Sequence, residues 1–187
     1  MEYRLSDEDL TAVVSFLKSR PAVSHAVRAH QLTLFGKALM AFAITPARPA
    51  AAPVKSPTGA TVERGAYLAN SVSSCVSCHT NRGRDGALVG PRFGGGQRMD
   101  VAADPNRVFV TPNLTPDAAT SPVGAWSEDT FVARFRAGEM LPGTPMPWGA
   151  FAQFTDDDVR AIYRYLRTLP PSRNATGARI QPKAEGH

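Results

Sequence analysis

Cys75-Val76-Ser77-Cys78-His79 sets two thiols three residues apart and an imidazole directly after the second. This is the attachment pattern of a c-type haem. The thiols can add to the two vinyl groups of one porphyrin as thioethers, and His79, tethered beneath the ring, takes the proximal position on iron. Two other chemistries use paired cysteines. A structural zinc site needs two further well-placed ligands, but Cys75 and Cys78 are the only cysteines, and His25, His30 and His187 are scattered without ligand spacing. A redox dithiol belongs in a βαβ pattern, which the chain lacks. The histidine adjoining the second cysteine is explained by neither.

A six-coordinate haem needs a ligand on its other side. Met40, Met99, Met140 and Met146 are available, besides the three remaining histidines. Met146 is the choice, because Pro145 and Pro147 restrict its backbone in Leu141-Pro142-Gly143-Thr144-Pro145-Met146-Pro147-Trp148. A thioether there favours reduced iron and raises the potential. Met140, a histidine or an open sixth position are the alternatives, and methionine filling a gap in a core is the plainest one.

Proximal ligands are oriented through their second ring nitrogen, often by a backbone carbonyl. Pro91, in Val89-Gly90-Pro91-Arg92, is the expected acceptor, with a plain surface turn as the competing reading. Trp126 offers an indole N–H to a haem propionate, and Asn113, Thr111 and Arg98 lie on the same long stretch and can serve the same end. An ordinary buried tryptophan is the competing reading of Trp126.

The elements that must hold these residues are mainly helical. Helices are expected from about Val62 into the haem motif, from Ser127 to about Ala137, and from Thr155 to about Leu169. Gly65 permits the first to cross the last closely near Tyr163. Gly83 to Ser121 is rich in Gly, Pro, Asn and Asp and reads as long irregular loop.

Upstream, Ser6 caps a helix whose first turn holds Asp7, Glu8 and Asp9 and whose apolar positions are Leu10, Val13, Val14 and Leu17. Shifted by 149 positions this helix falls on the last one: Ser6 on Thr155, Asp7 on Asp156, Ala12 on Ala161, Leu17 on Leu166 and Pro21 on Pro170. Thr45 to Gly59, with four prolines, reads as a linker. Leu32, Leu34, Phe35, Leu39 and Phe42 call for a docking surface somewhere.

With 187 residues there is room for one ordinary domain and an appendage. The net charge of +5 comes from dispersed Lys and Arg with no run resembling a nucleic-acid arm. No stretch reaches the roughly 20 apolar residues of a membrane span. The opening Met1-Glu2-Tyr3-Arg4-Leu5-Ser6-Asp7 is not an export signal, so that signal is expected to be missing from this sequence.

Residues 61 to 171 resemble class I c-type cytochromes, and most of all the domains of the multi-haem cytochrome subunits of membrane-bound alcohol, aldehyde and gluconate dehydrogenases. The resemblance rests on Gly65-Ala66-Tyr67-Leu68-Ala69, the haem motif, Thr111-Pro112-Asn113-Leu114-Thr115-Pro116-Asp117, Gly124-Ala125-Trp126-Ser127, and Met146-Pro147-Trp148 leading into Asp156 to Leu169. It implies one covalent haem c on Cys75 and Cys78, proximal His79, distal Met146, and an all-α class I cytochrome c fold wrapped around the haem with long irregular loops and an N-terminal helical extension.

The expected organisation is a 1–44 extension resembling the last helix of a preceding cytochrome domain, a 45–60 linker, a 61–172 cytochrome c domain and a flexible 173–187 tail. The expected function is electron transfer, not catalysis: electrons come from a dehydrogenase subunit and pass to another haem, a quinone or an oxidase. Nucleic acid is not an expected partner, membrane association is expected only through partners or missing segments, and the expected site is the periplasm or the outer face of the cytoplasmic membrane. An open haem for sensing or catalysis, and a truncated product that never receives haem, are the rival readings.

Overall fold

The computed structural model describes residues 4–42, 52–101 and 104–183. The chain divides into two compact units, one over Arg4–Lys55 and one from Ser56 onward that carries the haem motif. Part of the expected linker, residues 45–51, lies outside the described residues, as does His187.

In the N-terminal unit, α1 (Asp7–Lys18) starts where the cap predicts: the Ser6 hydroxyl accepts from the Asp9 N–H at 3.0 Å, and three acids occupy the first turn. A second helix, α2 (Leu34–Phe42), follows. Neither helix contains a buried residue; Phe16, Leu17, Phe35 and Phe42 are exposed.

The second unit begins with α3 (Val62–Tyr67), capped by Thr61, which runs into a single wide π-helical turn over Leu68–Val72. Asn70, buried in that turn, donates to the Ala66 carbonyl at 2.7 Å and to the Tyr165 hydroxyl at 3.0 Å, while its own oxygen accepts from Arg92 at 2.8 Å. The chain then reverses through Ser74 in the left-handed region (φ 49°) and enters α4 (Cys75–Cys78). Further on come α5 (Pro122–Ala125), α6 (Glu128–Arg136), α7 (Trp148–Phe151) and α8 (Asp156–Arg167).

Helix α8 and α1 are both twelve residues long, and each is capped by a hydroxyl that accepts from the third N–H of its helix, Thr155 from Asp158 at 3.1 Å. They differ in what covers them. Val159, Ala161, Ile162 and Leu166 are buried in α8, whereas their counterparts Leu10, Ala12, Val13 and Leu17 in α1 are exposed. The core of this unit gathers the apolar faces of α3, α6 and α8 with Leu68, Val76, Phe93 and Val123. No helix among the described residues is long and apolar enough to cross a membrane.

The expectation of an all-α fold is corrected by the stretch read as irregular loop. Among the described residues there are eight α-helices and five strands in two antiparallel sheets. The smaller sheet pairs β1 (Asn81–Arg82) with β2 (Leu88–Val89). The larger, in the order β3-β4-β5, joins β3 (Arg98–Val101), β4 (Asp104–Val110) and β5 (Ile180–Pro182). Val108, Phe109 and Val110 are β-branched or aromatic and buried, the composition of a strand packed on a core. A register shift between Asp100 and Val101 lets β4 accommodate Pro105, which has no N–H to give to a ladder. The segment after α8 is likewise not a plain flexible tail: Ile180 to Pro182 pairs with Phe109 to Arg107, and Val110 donates to the Arg179 carbonyl at 2.8 Å.

Candidate functional site

The π-helical turn and the left-handed Ser74 deliver α4 so that Cys75, Cys78 and His79 line one cavity of about 550 Å³. Met146 lines the same cavity, on the loop between α6 and α7. Much of the remaining wall is apolar, including Phe109, Leu114, Phe131, Phe135, Phe151, Ile162 and Leu166. A cavity of this size and character suits a large flat apolar group with a few fixed polar contacts.

His79 is 7% exposed. Its Nδ1 lies 3.0 Å from the Pro112 carbonyl oxygen, which fixes the tautomer with Nδ1–H as donor and leaves Nε2 with its lone pair. Burial lowers its pKa to about 4, against the carbonyl bond that raises it, and the charge of Arg179 lowers it further. The imidazole is therefore neutral at physiological pH, the form that ligates a metal. Pro91, expected as the carbonyl partner, is corrected: its carbonyl accepts from Gly94 at 2.9 Å in a local turn, and Pro112, within the quoted Thr111-Pro112-Asn113 motif, takes the role. Sequence spacing did not favour Pro112, because it lies 33 residues beyond His79 and only the return of β4 brings it back.

The thiols of Cys75 and Cys78 are free. Burial pushes the Cys75 pKa up to about 12, and the neighbouring Cys78 raises it too. A redox-active dithiol needs the opposite shift, toward thiolate. The zinc reading has no support either: among the described residues no group of three or more His, Cys, Asp or Glu is placed to hold a metal ion.

Of the other methionines, Met99 and Met140 also line the cavity, whereas Met40 lies in α2, and His25 and His30 are exposed in the N-terminal unit. Met140 is 64% exposed; Met146 is partly buried and packs against the core. Its loop is pinned by a hydrogen bond from the Trp148 N–H to its carbonyl at 2.8 Å. Trp148 in turn stands edge-on to Phe135, with centroids 6.0 Å apart, and lies under the Arg134 guanidinium at 3.7 Å.

The expected outer donors separate into two groups. Trp126 and Thr111 line the cavity. Asn113 and Arg98 do not, and their expected role is corrected. Asn113 is fully buried, donating to Thr120 Oγ1 at 2.9 Å and the Ser172 carbonyl at 2.7 Å while accepting from the Thr115 N–H and hydroxyl. Arg98 reaches across the sheet to Gln181 Oε1 and the Pro182 carbonyl. Sequence reasoning missed Arg134 and Arg179, which do line the cavity.

The residues present fit a haem. Two thiols, a neutral imidazole with a committed Nδ1 and a partly buried thioether share one apolar cavity.

Residues 60–166 match the family model described as "Cytochrome C oxidase, cbb3-type, subunit III". The chain is 26% identical over 89% of its length to the cytochrome c subunit of a quinone alcohol dehydrogenase from Gluconobacter oxydans (strain 621H), covering 37% of that protein. It is 34% identical over 59% of its length to the corresponding subunit from Gluconacetobacter polyoxogenes, covering 25% of it. To the fructose dehydrogenase cytochrome subunit of Gluconobacter japonicus it is 32% identical over 57% of its length, covering 21%. The chain thus spans between about a fifth and two fifths of these curated relatives.

Proposed function

Because the chain belongs to the cytochrome c family described as "Cytochrome C oxidase, cbb3-type, subunit III", we propose that its C-terminal unit carries electrons through one haem c attached at Cys75 and Cys78, with His79 and Met146 as the two axial ligands. The observation that carries this reading is the convergence of both thiols, the imidazole and the thioether on one cavity. Haem supplies one-electron exchange between ferrous and ferric iron when bound.

The protein's part is positioning and exclusion. The two cysteines would tether the group, and Pro112 holds the His79 ring through Nδ1, which leaves the Nε2 lone pair to ligate it. Met146, its backbone restricted by two prolines, would hold the group from the same cavity through its thioether and so leave no place for a substrate at the metal. Aromatic and aliphatic walls keep water out, which favours the less charged ferrous state. The 61–172 span is the carrier domain in this reading. A dehydrogenase subunit donates to it, a reading supported by the dehydrogenase cytochrome subunits among the relatives, and another haem, a quinone or an oxidase accepts, on the periplasmic side of the cytoplasmic membrane.

Mass spectrometry of the native protein tests attachment: one haem-sized increment on the peptide spanning Cys75 to His79 is expected, and its absence ends the reading. Visible spectroscopy tests ligation. The oxidised protein should be low-spin with the weak far-red band of methionine-bound ferric haem, and Met146→Ala should lose that band. High-spin iron in the unaltered protein would instead favour an open sixth position.

A further inference from the structure

Among the described residues two charged side chains, Arg134 and Arg179, line the cavity, and no carboxylate does. Neither pairs with an Asp or Glu among the described residues, although Arg64, Arg107, Arg136, Arg160 and Arg164 all do. Each makes a single side-chain hydrogen bond there, Arg134 to the Gly138 carbonyl at 2.7 Å and Arg179 to Thr176 Oγ1 at 3.1 Å. A guanidinium has five donor hydrogens, so most of the donors on both residues are uncommitted. Burial pulls the pKa of both below the usual guanidinium range, as it must for a cation without a counter-charge.

The two arginines are not equivalent. Arg134 is stacked on Trp148 and held in α6. Arg179 has no cation–π partner among the described residues and is placed by the larger sheet: its carbonyl accepts from Val110, and the next residue pairs with Phe109. Phe109 and Val110 are on the cavity wall, three and two residues before the proline whose carbonyl holds His79.

The haem that the preceding reading requires brings two propionate carboxylates into a cavity that is otherwise apolar. A carboxylate buried there without a partner is costly, and a planar guanidinium fork is its best match. We propose that Arg179 anchors a haem propionate, which makes the segment after α8 part of the cofactor site. That segment lies beyond residue 166, where the family match ends. Arg134 supplies the second positive charge to the same cavity, so two cations face two carboxylates.

This inference rests on the haem reading, and the experiment separates the two. The haem-loaded full chain, Arg179→Gln, Arg179→Lys and Thr176→Ala are titrated electrochemically between about pH 5 and 8, the range spanned by a carboxylate raised out of its usual titration region. Infrared difference spectra record the carboxyl stretch. In the unaltered protein the potential should be nearly flat with pH, because the paired propionate stays ionised. In Arg179→Gln the propionate loses its counter-charge and titrates: the potential should fall as pH rises, and a protonated carboxyl band should appear at the acid end. Arg179→Lys should restore most of the flat profile. Thr176→Ala, which removes the structural hydrogen bond but leaves the charge, should match the unaltered protein. A haem-loaded Arg179→Gln protein with the unaltered profile and no new carboxyl band overturns the assignment, as does a slope of equal size in Thr176→Ala. An unaltered chain that carries no haem overturns both readings together.

Discussion

Gly65 and Ala161 meet so closely that a Cβ on Gly65 would stand 1.9 Å from the Ala161 carbonyl oxygen and 2.8 Å from the Cβ of Tyr165. Backbone touches backbone where α3 crosses α8, and only a residue without a side chain allows it. The contact matters for the site because α3 leads through the π-helical turn directly into the cysteine-containing helix.

Gly65→Ala should therefore destabilise the haem-loaded protein by about 3 kcal/mol, because rigid backbone rather than a flexible side chain must give way. Thermal unfolding followed at the haem absorption should show a fall of roughly 10 °C or more. A midpoint within a degree of the unaltered protein would mean that the helices separate freely.

The helices and their caps were legible in the sequence because each depends on neighbours a few residues apart. Ser6, Thr155 and Ser127 all accept from the N–H groups their positions predict. Gly65 was legible as a crossing point too, though at Ala161 and Tyr165 rather than Tyr163, whose hydroxyl instead donates to the Trp126 carbonyl at 2.7 Å. The larger sheet was not legible. Its strands are four, seven and three residues long, and β5 pairs with β4 across some seventy positions, so no local periodicity marks the partnership. The same long return explains why Pro112 was missed for Pro91 and Arg179 was missed altogether.

Asn113 ties the loop after β4 to the segment after α8. Replacing it with alanine leaves the buried Thr115 N–H without its acceptor and removes the 2.7 Å donor to the Ser172 carbonyl, which keeps Thr120 Oγ1 at 3.2 Å, at a cost of about 2 kcal/mol. Denaturant unfolding of Asn113→Ala should shift to a lower midpoint with an unchanged slope. Because the side chain does not face the cavity, the visible spectrum and the potential of the folded variant should be unaltered. A change in potential with no change in stability would restore Asn113 to the cofactor site.

Glu128 clamps α6 to α8 by accepting from Arg164 at 2.7 Å and from Arg160 at 3.2 Å. The Arg164 hydrogen bond is the main reason its carboxyl sits below the ordinary value of 4.5, against a desolvation cost that raises it. A depressed folded-state pKa means stability that is fully present above 4.5 and is lost as pH falls through the lower folded value. Glu128→Gln should thus be less stable than the unaltered protein at neutral pH, and the gap should close on acidification below that value. Partial exposure of all three side chains makes the gap smaller in high salt. A gap that widens with acid would exclude the clamp.

Trp148 is the support of the Met146 loop. Its N–H holds the Met146 carbonyl, and its ring is fixed between Phe135 and the Arg134 guanidinium. Trp148→Ala removes both ring contacts, a cation–π pair worth about 1 kcal/mol and an edge-to-face contact of similar size, while the backbone bond survives. The methionine should then leave iron more readily without being absent from it. Warming the oxidised variant should bleach the far-red methionine band well below the global unfolding temperature, and exogenous imidazole should bind faster than to the unaltered protein. Trp148→Phe keeps an apolar ring beneath Arg134 and should recover most of the band's thermal range. A Trp148→Ala protein whose band persists to the unfolding transition would show that Pro145 and Pro147 alone hold Met146 in place.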